Sequence, residues 1–157
     1  MFHVVLHEPE IPPNTGNLMR LTVNVGAELH LVHPLGFELD DARMRRAGLD
    51  YREHSRVHHH ETFAACVGEL VGRRMFAFSQ HAETLYTDIA YRPGDVLLFG
   101  KESTGLPEDV ANHDAVTERV RIPIAEHGRS LNLANAAAVG IYEAWRQNGF
   151  EEVDDVE

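Results

Sequence analysis

The stretch 12–20 carries the first side chains that could do chemistry, among them Asn14 and Arg20. Asn14 or Thr15 is predicted to cap a helix over residues 15–25, with Arg20 about one turn inside it. A capped helix with a surface arginine explains only part of this stretch, because a cap needs a single polar side chain. The alternative is a pocket for a phosphate or a ribose at the positive end of the helix.

A second polar stretch, residues 100–107, follows an apolar run that reads as a buried strand. Gly100 lets the backbone approach a ligand closely. The Glu102 carboxylate could hold a hydroxyl group or offset a cationic ligand, although an ordinary turn between a strand and a helix has a similar composition. Two phosphate-binding motifs are excluded, because the chain lacks the P-loop order of residues and lacks a dinucleotide fingerprint after its first strand.

The third polar stretch contains Ser130 and Asn132, at the start of the clearest helix in the chain, residues 132–147. Capping explains one of these two side chains. The helix also carries several small residues: Ala134, Ala137, Ala138 and Gly140. Small residues permit close packing, either against a sheet or against a second subunit, and the sequence leaves both open.

Short apolar runs alternate with helix-like segments, which predicts an α/β fold. The expected strands are residues 4–6, 29–32, 75–78, 96–99 and, more weakly, 120–122; further helices are expected over residues 40–47 and 61–71. Continuous apolar strands are typical of a parallel sheet with helices on both faces. Ligands bind beyond the carboxyl ends of such strands, so the three polar stretches are expected to meet there.

Length and composition predict a single domain. The chain has 157 residues, of which 43% are hydrophobic and 25% charged. Residues 1–150 are assigned to one domain and residues 151–157 to an acidic, mobile tail. No apolar run approaches the roughly 18 residues that span a bilayer. A single cysteine, Cys66, excludes an intramolecular disulfide, and no secretory signal is recognised, so a cytoplasmic protein is expected.

The charge distribution gives conflicting indications about a nucleic-acid partner. A net charge of −11 argues against one, because proteins that bind nucleic acid usually carry a basic surface. A local arginine cluster supports one: Arg43, Arg45, Arg46 and Arg52. The alternative is that these arginines form a solvated helix face.

The run His58-His59-His60 suggests a metal site, but no metal is expected from the sequence. Adjacent histidines do not share a helix face, and no cysteine or acidic partner follows with ligand spacing. Cys66 lies among small apolar residues, which is typical of a buried thiol rather than a nucleophile.

The three polar stretches, in this order, resemble those of the SPOUT class of RNA methyltransferases. The similarity is carried by residues 8–17 (EPEIPPNTGN) with Arg20, residues 99–107 (FGKESTGLP), residues 121–123 (RIP), residues 129–135 (RSLNLAN) and residues 45–51 (RRAGLDY). It extends over about residues 3–149. Within the class, the chain is similar to small bacterial enzymes that methylate the ribose 2′-hydroxyl of the wobble nucleotide, position 34, of tRNA.

The resemblance implies a fold, a cofactor and an assembly. The fold is an α/β parallel sheet with a C-terminal trefoil knot, the cofactor is S-adenosylmethionine, and the working unit is a homodimer whose active sites use both subunits. The implied cofactor-binding residues are Phe78, Gly100, Ile122, Ser130 and Leu131. The implied catalytic residues are Asn14, Arg20, Glu102, Ser130 and Asn132.

The implied substrate is the anticodon stem-loop of tRNA. Its phosphates are expected to contact the arginine cluster, and Tyr142 is expected near the active site or the dimer contact. The resemblance implies that Arg20 is the general base, although guanidinium normally stays protonated. A charged Arg20 that holds a phosphate and stabilises the developing alkoxide is therefore the alternative. Two other functions remain open: the same chemistry on another tRNA position or on ribosomal RNA, and a non-catalytic RNA-binding module.

Overall fold

The computed structural model describes residues 1–39 and 56–152, which form a seven-stranded sheet with helices on both faces. The strands are β1 (His3–His7), β2 (Glu28–Val32), β3 (Val57–His60), β4 (Met75–Phe78), β5 (Thr84–Leu85), β6 (Val96–Phe99) and β7 (Glu118–Arg121). Their order across the sheet is β3-β2-β1-β6-β4-β7-β5, and every pair is parallel. The α/β fold class predicted from the continuous apolar runs is confirmed.

Four α-helices are present in the described part of the chain: α1 (Pro12–Val25), α2 (Phe63–Glu69), α3 (Glu108–Ala111) and α4 (Leu133–Gln147). A 3-10 turn covers Tyr86–Asp88. No helix in residues 1–39 and 56–152 is long and apolar enough to cross a membrane.

Alternate residues of the central strands enter two separate cores, one on each face of the sheet. Val4, Leu29 and Leu97 face α1 and α4, and they pack with Leu18 and Ile141 of those helices. The strand residues Val5, Val32 and Leu98 face the other way. They form the second core with Cys66 and Leu70, in and just after α2, and with Val110 of α3. Burial on both faces explains why the strand sequences are continuously apolar.

Helix α1 starts earlier than its sequence suggested and lacks a side-chain cap. Its N-cap residue is Ile11, with Pro12 at the first helical position, where a missing N–H costs nothing. Asn14 and Thr15 lie inside the helix and are buried. The prediction that either residue caps the helix is wrong, because the two prolines begin the helix before them.

The close approach of α4 to the sheet depends on Gly140. A Cβ atom on Gly140 would lie 3.0 Å from Cζ of Phe78 and 3.2 Å from Cδ2 of Leu97. Ala137 and Ile141 share this face and are fully buried. Of the two explanations left open for the small residues, packing against the sheet therefore accounts for Ala137 and Gly140.

Two short strands, β3 and β5, were not predicted. β3 is the histidine run itself, and β5 is only two residues long. The predicted helix over residues 40–47 lies outside the described residues, as do the arginine cluster and the final residues 153–157 of the predicted tail.

Candidate active site

The three polar stretches meet at the carboxyl edge of the sheet, where they enclose a cavity of about 470 Å³. The turn after β6, the loop before α4 and the start of α1 supply most of its lining. The end of β4 and the segment after β7 complete it. This is the edge at which parallel α/β sheets bind ligands.

Glu102 connects the turn after β6 to the start of α1. Its Oε2 accepts a hydrogen bond from the backbone N–H of Glu10 at 2.7 Å. Its Oε1 accepts from the backbone N–H of Ile11 at 3.0 Å and from Nδ2 of Asn14 at 3.2 Å. The Glu102 carboxylate thus binds the uncapped helix start, where backbone N–H groups lack intrahelical partners.

Asn14 extends this connection to α4. Its Oδ1 accepts a hydrogen bond from Nδ2 of Asn132 at 2.9 Å. Oδ1 of Asn132 accepts from the backbone N–H groups of Ala134 at 2.9 Å and Asn135 at 3.3 Å. Asn132 is therefore the N-cap of α4, as one of the sequence alternatives held. The side-chain amides of Asn14 and Asn132 each form hydrogen bonds through both the nitrogen and the oxygen, which fixes their orientation.

The five residues that the resemblance assigned to the cofactor all line the cavity: Phe78, Gly100, Ile122, Ser130 and Leu131. They combine an aromatic and aliphatic wall with one hydroxyl group. Phe78 stacks on Phe99, with ring centroids 4.5 Å apart and an interplanar angle of 26°. The stacking holds the Phe78 ring in place beside the cavity.

Gly100 occupies a position that no other residue type fits. The backbone folds back after it, with the N–H of Gly105 donating to the carbonyl of Lys101 at 2.9 Å. A Cβ atom on Gly100 would lie 2.1 Å from the carbonyl carbon of Gly105 and 2.2 Å from the nitrogen of Leu106. Both neighbours are backbone atoms, so the glycine is required for the shape of this cavity wall.

Of the five residues assigned to catalysis, four line the cavity: Asn14, Glu102, Ser130 and Asn132. Arg20 does not. It lies on α1 about 9 Å along the helix axis from Asn14, at a rise of about 1.5 Å per residue. Its side chain is exposed, as is that of Tyr142 on α4. Tyr142 also lies outside the cavity lining and packs edge-on against Trp145, with centroids 5.7 Å apart.

Several lining residues were not singled out in the sequence, among them Ser79, Gln80 and His81. They directly follow β4, so the rule that ligands bind beyond strand ends could have identified them. A second tie between the loops was also missed. The Ser103 hydroxyl donates a hydrogen bond to Oε1 of Glu10 at 2.5 Å. The two residues are 93 positions apart, so no local sequence pattern indicates this contact.

The cavity is suited to a ligand with an apolar, planar part and a polar part. Its lining combines aromatic and aliphatic side chains with the amides of Asn14 and Asn132 and the Ser130 hydroxyl. A volume of about 470 Å³ lies in the range of small-molecule sites, roughly 300–1,000 Å³.

Comparison with known proteins gives consistent matches over nearly the whole chain. The model of the SpoU rRNA Methylase family matches residues 1–142. A tRNA (cytidine(34)-2′-O)-methyltransferase of Methylovorus glucosotrophus is 51% identical over 150 residues, which cover 96% of this chain and 97% of the relative.

Solved structures agree with the sequence matches. One, from work on 2-OH methylation of C/U34 on tRNA, superposes with a TM-score of 0.89 at 45% identity and covers 96% of this chain and 98% of the other. An AdoMet-bound rRNA methyltransferase from Sinorhizobium meliloti gives a TM-score of 0.82 at 26% identity, covering 92% of this chain and 56% of the other. The family match and these likenesses agree with the α/β sheet and with the SPOUT resemblance of the loops, and the chain therefore belongs to the SpoU methylase family.

Proposed function

We propose that this protein transfers a methyl group from S-adenosylmethionine to the ribose 2′-oxygen of nucleotide 34, a cytidine or a modified uridine, of tRNA. The observation that carries the proposal is the cavity at the carboxyl edge of the sheet. It is lined by every residue that the family resemblance assigns to the cofactor. The relatives with about half of their residues identical to this chain bear the name of this activity.

In this proposal, the turn after β6 and the loop before α4 hold the cofactor. Phe78 and Ile122 would enclose its adenine ring, and backbone groups of the turn at Gly100 would make polar contacts with it. When bound, the cofactor supplies an electrophilic methyl group on a sulfonium centre. The turn after β6 lines the cavity, and the orientation of the bound cofactor toward the ribose 2′-oxygen would supply much of the rate enhancement.

Glu102 acts as a positioning residue rather than as a group that touches substrate. Its two oxygens already accept three hydrogen bonds from the protein. Through Asn14 it fixes the amide of Asn132, which in turn fixes the start of α4 beside Ser130. The ribose is then placed by the side chains of Asn14, Asn132 and Ser130.

We assign Arg20 the role of an electrostatic catalyst. A guanidinium group stays protonated under ordinary conditions, so it is suited to hold a phosphate and to stabilise the alkoxide that forms as the 2′-oxygen attacks. Arg20 as a general base is the alternative. Either role requires Arg20 to reach the reacting oxygen, and within one subunit it lies outside the cavity lining.

In the proposal the protein is a homodimer, because a second subunit would then bring its own Arg20 within reach of the reacting oxygen in the cavity. Helices α1 and α4 pack against each other on the same face of the sheet. Within residues 1–39 and 56–152, six large hydrophobic side chains are exposed, and four of them lie on or beside these two helices: Ile11, Leu131, Val139 and Tyr142. Exposed apolar side chains grouped in this way are typical of a subunit interface.

The proposed substrate contact is between the anticodon stem-loop and the arginine cluster Arg43, Arg45, Arg46 and Arg52, and the proposed location is the cytoplasm. Phosphate contacts of this kind weaken steeply as salt concentration rises. A loop nucleotide is a suitable target, because its unstacked base and its 2′-hydroxyl are accessible.

Methyl transfer to total tRNA from labelled S-adenosylmethionine tests the proposal, with nuclease digestion and mass spectrometry to map the product. A 2′-O-methylpyrimidine at position 34 supports it. Label at another position or in ribosomal RNA would keep the chemistry and reject the substrate. Failure to bind S-adenosylhomocysteine would leave the RNA-binding module as the remaining function.

The role of Arg20 is tested with R20A and a matched control, R92A, which removes an exposed arginine from the loop before β6. R20A is expected to lower turnover by at least about 100-fold and to leave the affinity for S-adenosylhomocysteine within about threefold. R92A is expected to behave as wild type. Equal losses of binding and turnover in R20A would contradict the catalytic assignment.

A further inference from the structure

Lys101 is the only lysine in the chain, which also carries 13 arginines. It directly follows Gly100 and lines the cavity at the carboxyl edge of the sheet. Lysine presents a compact point charge on a flexible stem, whereas arginine presents a planar fork of donors. A chain that otherwise uses arginine for its permanent positive charges thus places its one ammonium side chain in the wall of the cavity.

Few of the groups in the cavity wall can carry a charge. Among the described lining residues they are Lys101, Glu102 and His81. The Glu102 carboxylate accepts three hydrogen bonds from residues at the start of α1, so it is already committed to the protein. His81 is exposed on the segment after β4. Lys101 therefore supplies the only ammonium or guanidinium group of the described lining.

The turn after β6 holds the backbone of Lys101 in place. The Lys101 carbonyl accepts a hydrogen bond from the Gly105 N–H at 2.9 Å, and the two residues form an antiparallel bridge. Only 30% of the Lys101 side chain is exposed, so its apolar stem is largely covered. The side chain thus starts from a fixed point of the cavity wall.

The Lys101 ammonium group lies near a carboxylate without forming a hydrogen bond to it. Its Nζ is 3.9 Å from Oε2 of Glu8, longer than the roughly 3.2 Å of a hydrogen bond. Within residues 1–39 and 56–152, no side chain or carbonyl accepts a hydrogen bond from this nitrogen. A loose ion pair of this kind contributes little to stability. The three N–H donors of Lys101 are therefore available to a ligand.

The cofactor of the proposed function carries an anionic group that needs such a partner. S-adenosylmethionine consists of an adenosine part and an amino-acid part, and the amino-acid part ends in an α-carboxylate. Phe78 and Ile122 are assigned to the adenine ring, so another part of the lining must contact the amino-acid part. A carboxylate that leaves water needs a cation or N–H donors to replace its hydration, and hydrogen bonds between charged groups are among the strongest.

We propose that the ε-ammonium group of Lys101 binds the α-carboxylate of the cofactor and makes the cavity selective for ligands with an amino-acid part. The inference rests on the proposed function and extends it to a residue outside the set that the resemblance assigned to the cofactor. With both ends of the cofactor held, the sulfonium methyl group would have less freedom to turn away from the ribose.

A phosphate group of the RNA is the other anion that Lys101 could bind. Lys101 lines the cavity itself and most of its side chain is covered, which favours the anion of the ligand inside the cavity. The proposed phosphate contacts of the RNA belong instead to the arginine cluster. Binding to RNA is therefore kept as an outcome of the test.

Calorimetric titration of the full chain with two ligands tests the proposal. S-adenosylhomocysteine has the amino-acid part, whereas 5′-methylthioadenosine keeps the adenine, the ribose and the sulfur but lacks the carboxylate. K101M removes the charge and keeps a long apolar stem. It is expected to weaken S-adenosylhomocysteine binding by about 10-fold or more and to leave the affinity for 5′-methylthioadenosine within about threefold. K101R keeps a positive charge and is expected to retain part of the selectivity.

Two further variants are compared with K101M. H81A removes the other basic side chain of the described lining, and R92A removes an exposed arginine from the loop before β6. R92A is expected to bind both ligands as wild type does. The unfolding temperature of ligand-free K101M should stay close to that of wild type, because the ion pair with Glu8 is loose.

The single lysine also permits a direct chemical measurement. An amine-reactive reagent can modify only Lys101 and the amino terminus, and mass spectrometry distinguishes the two products. Saturating S-adenosylhomocysteine is expected to slow the modification of Lys101, and 5′-methylthioadenosine is expected to slow it less. R92K adds a reference lysine on an exposed loop, and its rate of modification should not change with either ligand.

Equal loss of affinity for both ligands in K101M, or no loss for either, would overturn the proposal. Selectivity that is lost in H81A and kept in K101M would also overturn it and assign the carboxylate to His81. Unchanged S-adenosylhomocysteine affinity in K101M together with weaker tRNA binding would assign Lys101 to an RNA phosphate instead. Wild-type protein that binds neither ligand would reject the proposed function itself, so the two failures are distinguishable.

Discussion

Substitution of Gly100 by alanine is the sharpest test of how the turn after β6 shapes the cavity. The new methyl group would lie 2.1 Å from the carbonyl carbon of Gly105 and 2.2 Å from the nitrogen of Leu106. Carbon atoms in contact are about 3.5–4.0 Å apart, so the facing backbone must move by more than about 1 Å. That movement breaks the hydrogen bond from the Gly105 N–H to Lys101.

The expected cost of G100A is about 2–4 kcal/mol of folding free energy. Overpacking contributes about 1–3 kcal/mol and the lost hydrogen bond about 1 kcal/mol. Because residues 100–106 line the cavity, methyl transfer should fall by about 100-fold, the loss typical of a displacement of about 1 Å at a reaction centre. Affinity for S-adenosylhomocysteine should fall with it.

The assays are urea unfolding, calorimetric titration with S-adenosylhomocysteine, and methyl transfer. G68A is the matched control. Gly68 lies in α2, and a Cβ atom there meets no atom within 4 Å. An alanine in an exposed helix interior is expected to stabilise the protein by up to about 1 kcal/mol. If G100A kept wild-type affinity and turnover, the inference that backbone contact defines this wall would be refuted.

Three further perturbations have expected outcomes. E102Q places an amide NH₂ against the backbone N–H of either Glu10 or Ile11, so the folding free energy measured by thermal unfolding should fall by about 1–3 kcal/mol. An unchanged melting temperature would contradict the positioning role of Glu102. N132D keeps the helix cap and so nearly all of the stability, but it sets a carboxylate against Oδ1 of Asn14, so methyl transfer should fall. N132A should lower methyl transfer and also lose about 1 kcal/mol of stability. Equal activity of N132D and wild type would exclude a role for the contact between Asn132 and Asn14. Burial lowers the pKa of His3 to about 4 and of His30 to about 3, so below about pH 6.5 the unfolded chain binds protons that the native chain does not. The protein should therefore lose about 2–3 kcal/mol of stability per pH unit from about pH 6 to 4, and urea unfolding that is unchanged between pH 7 and 5 would show that the two imidazoles are solvated.

Local patterns predicted most of the elements and the edge of the sheet at which the site lies. The runs at β4 and β6 were located at their observed ends because burial on both faces requires uninterrupted apolar residues. The start of α4 was located because Asn132 has both the position and the side chain of a cap. The start of α1 was missed, because capping propensity was weighed above the prolines that begin the helix.

The identity of the cavity residues came from motif resemblance rather than from periodicity. Phe78 and Ile122 look like ordinary strand-end residues in the sequence, and only their place beside the turn at Gly100 brings them into one cavity. The contacts of Glu102 with Glu10 and Asn14 join positions about ninety residues apart. No local pattern carries such a contact, because it depends on the order of strands in the sheet.

By itself, the sequence determined the fold class, the edge of the sheet that carries the site and the resemblance to RNA methyltransferases, because each depends on local composition or on a short motif. Only the tertiary structure decided that Glu102 holds other residues in place and that Arg20 lies outside the cavity lining of its own chain. The buried imidazoles of His3 and His30 are the clearest case. The two residues are 27 positions apart, and the parallel pairing of β1 with β2 brings Nδ1 of His3 to 3.1 Å from Nε2 of His30.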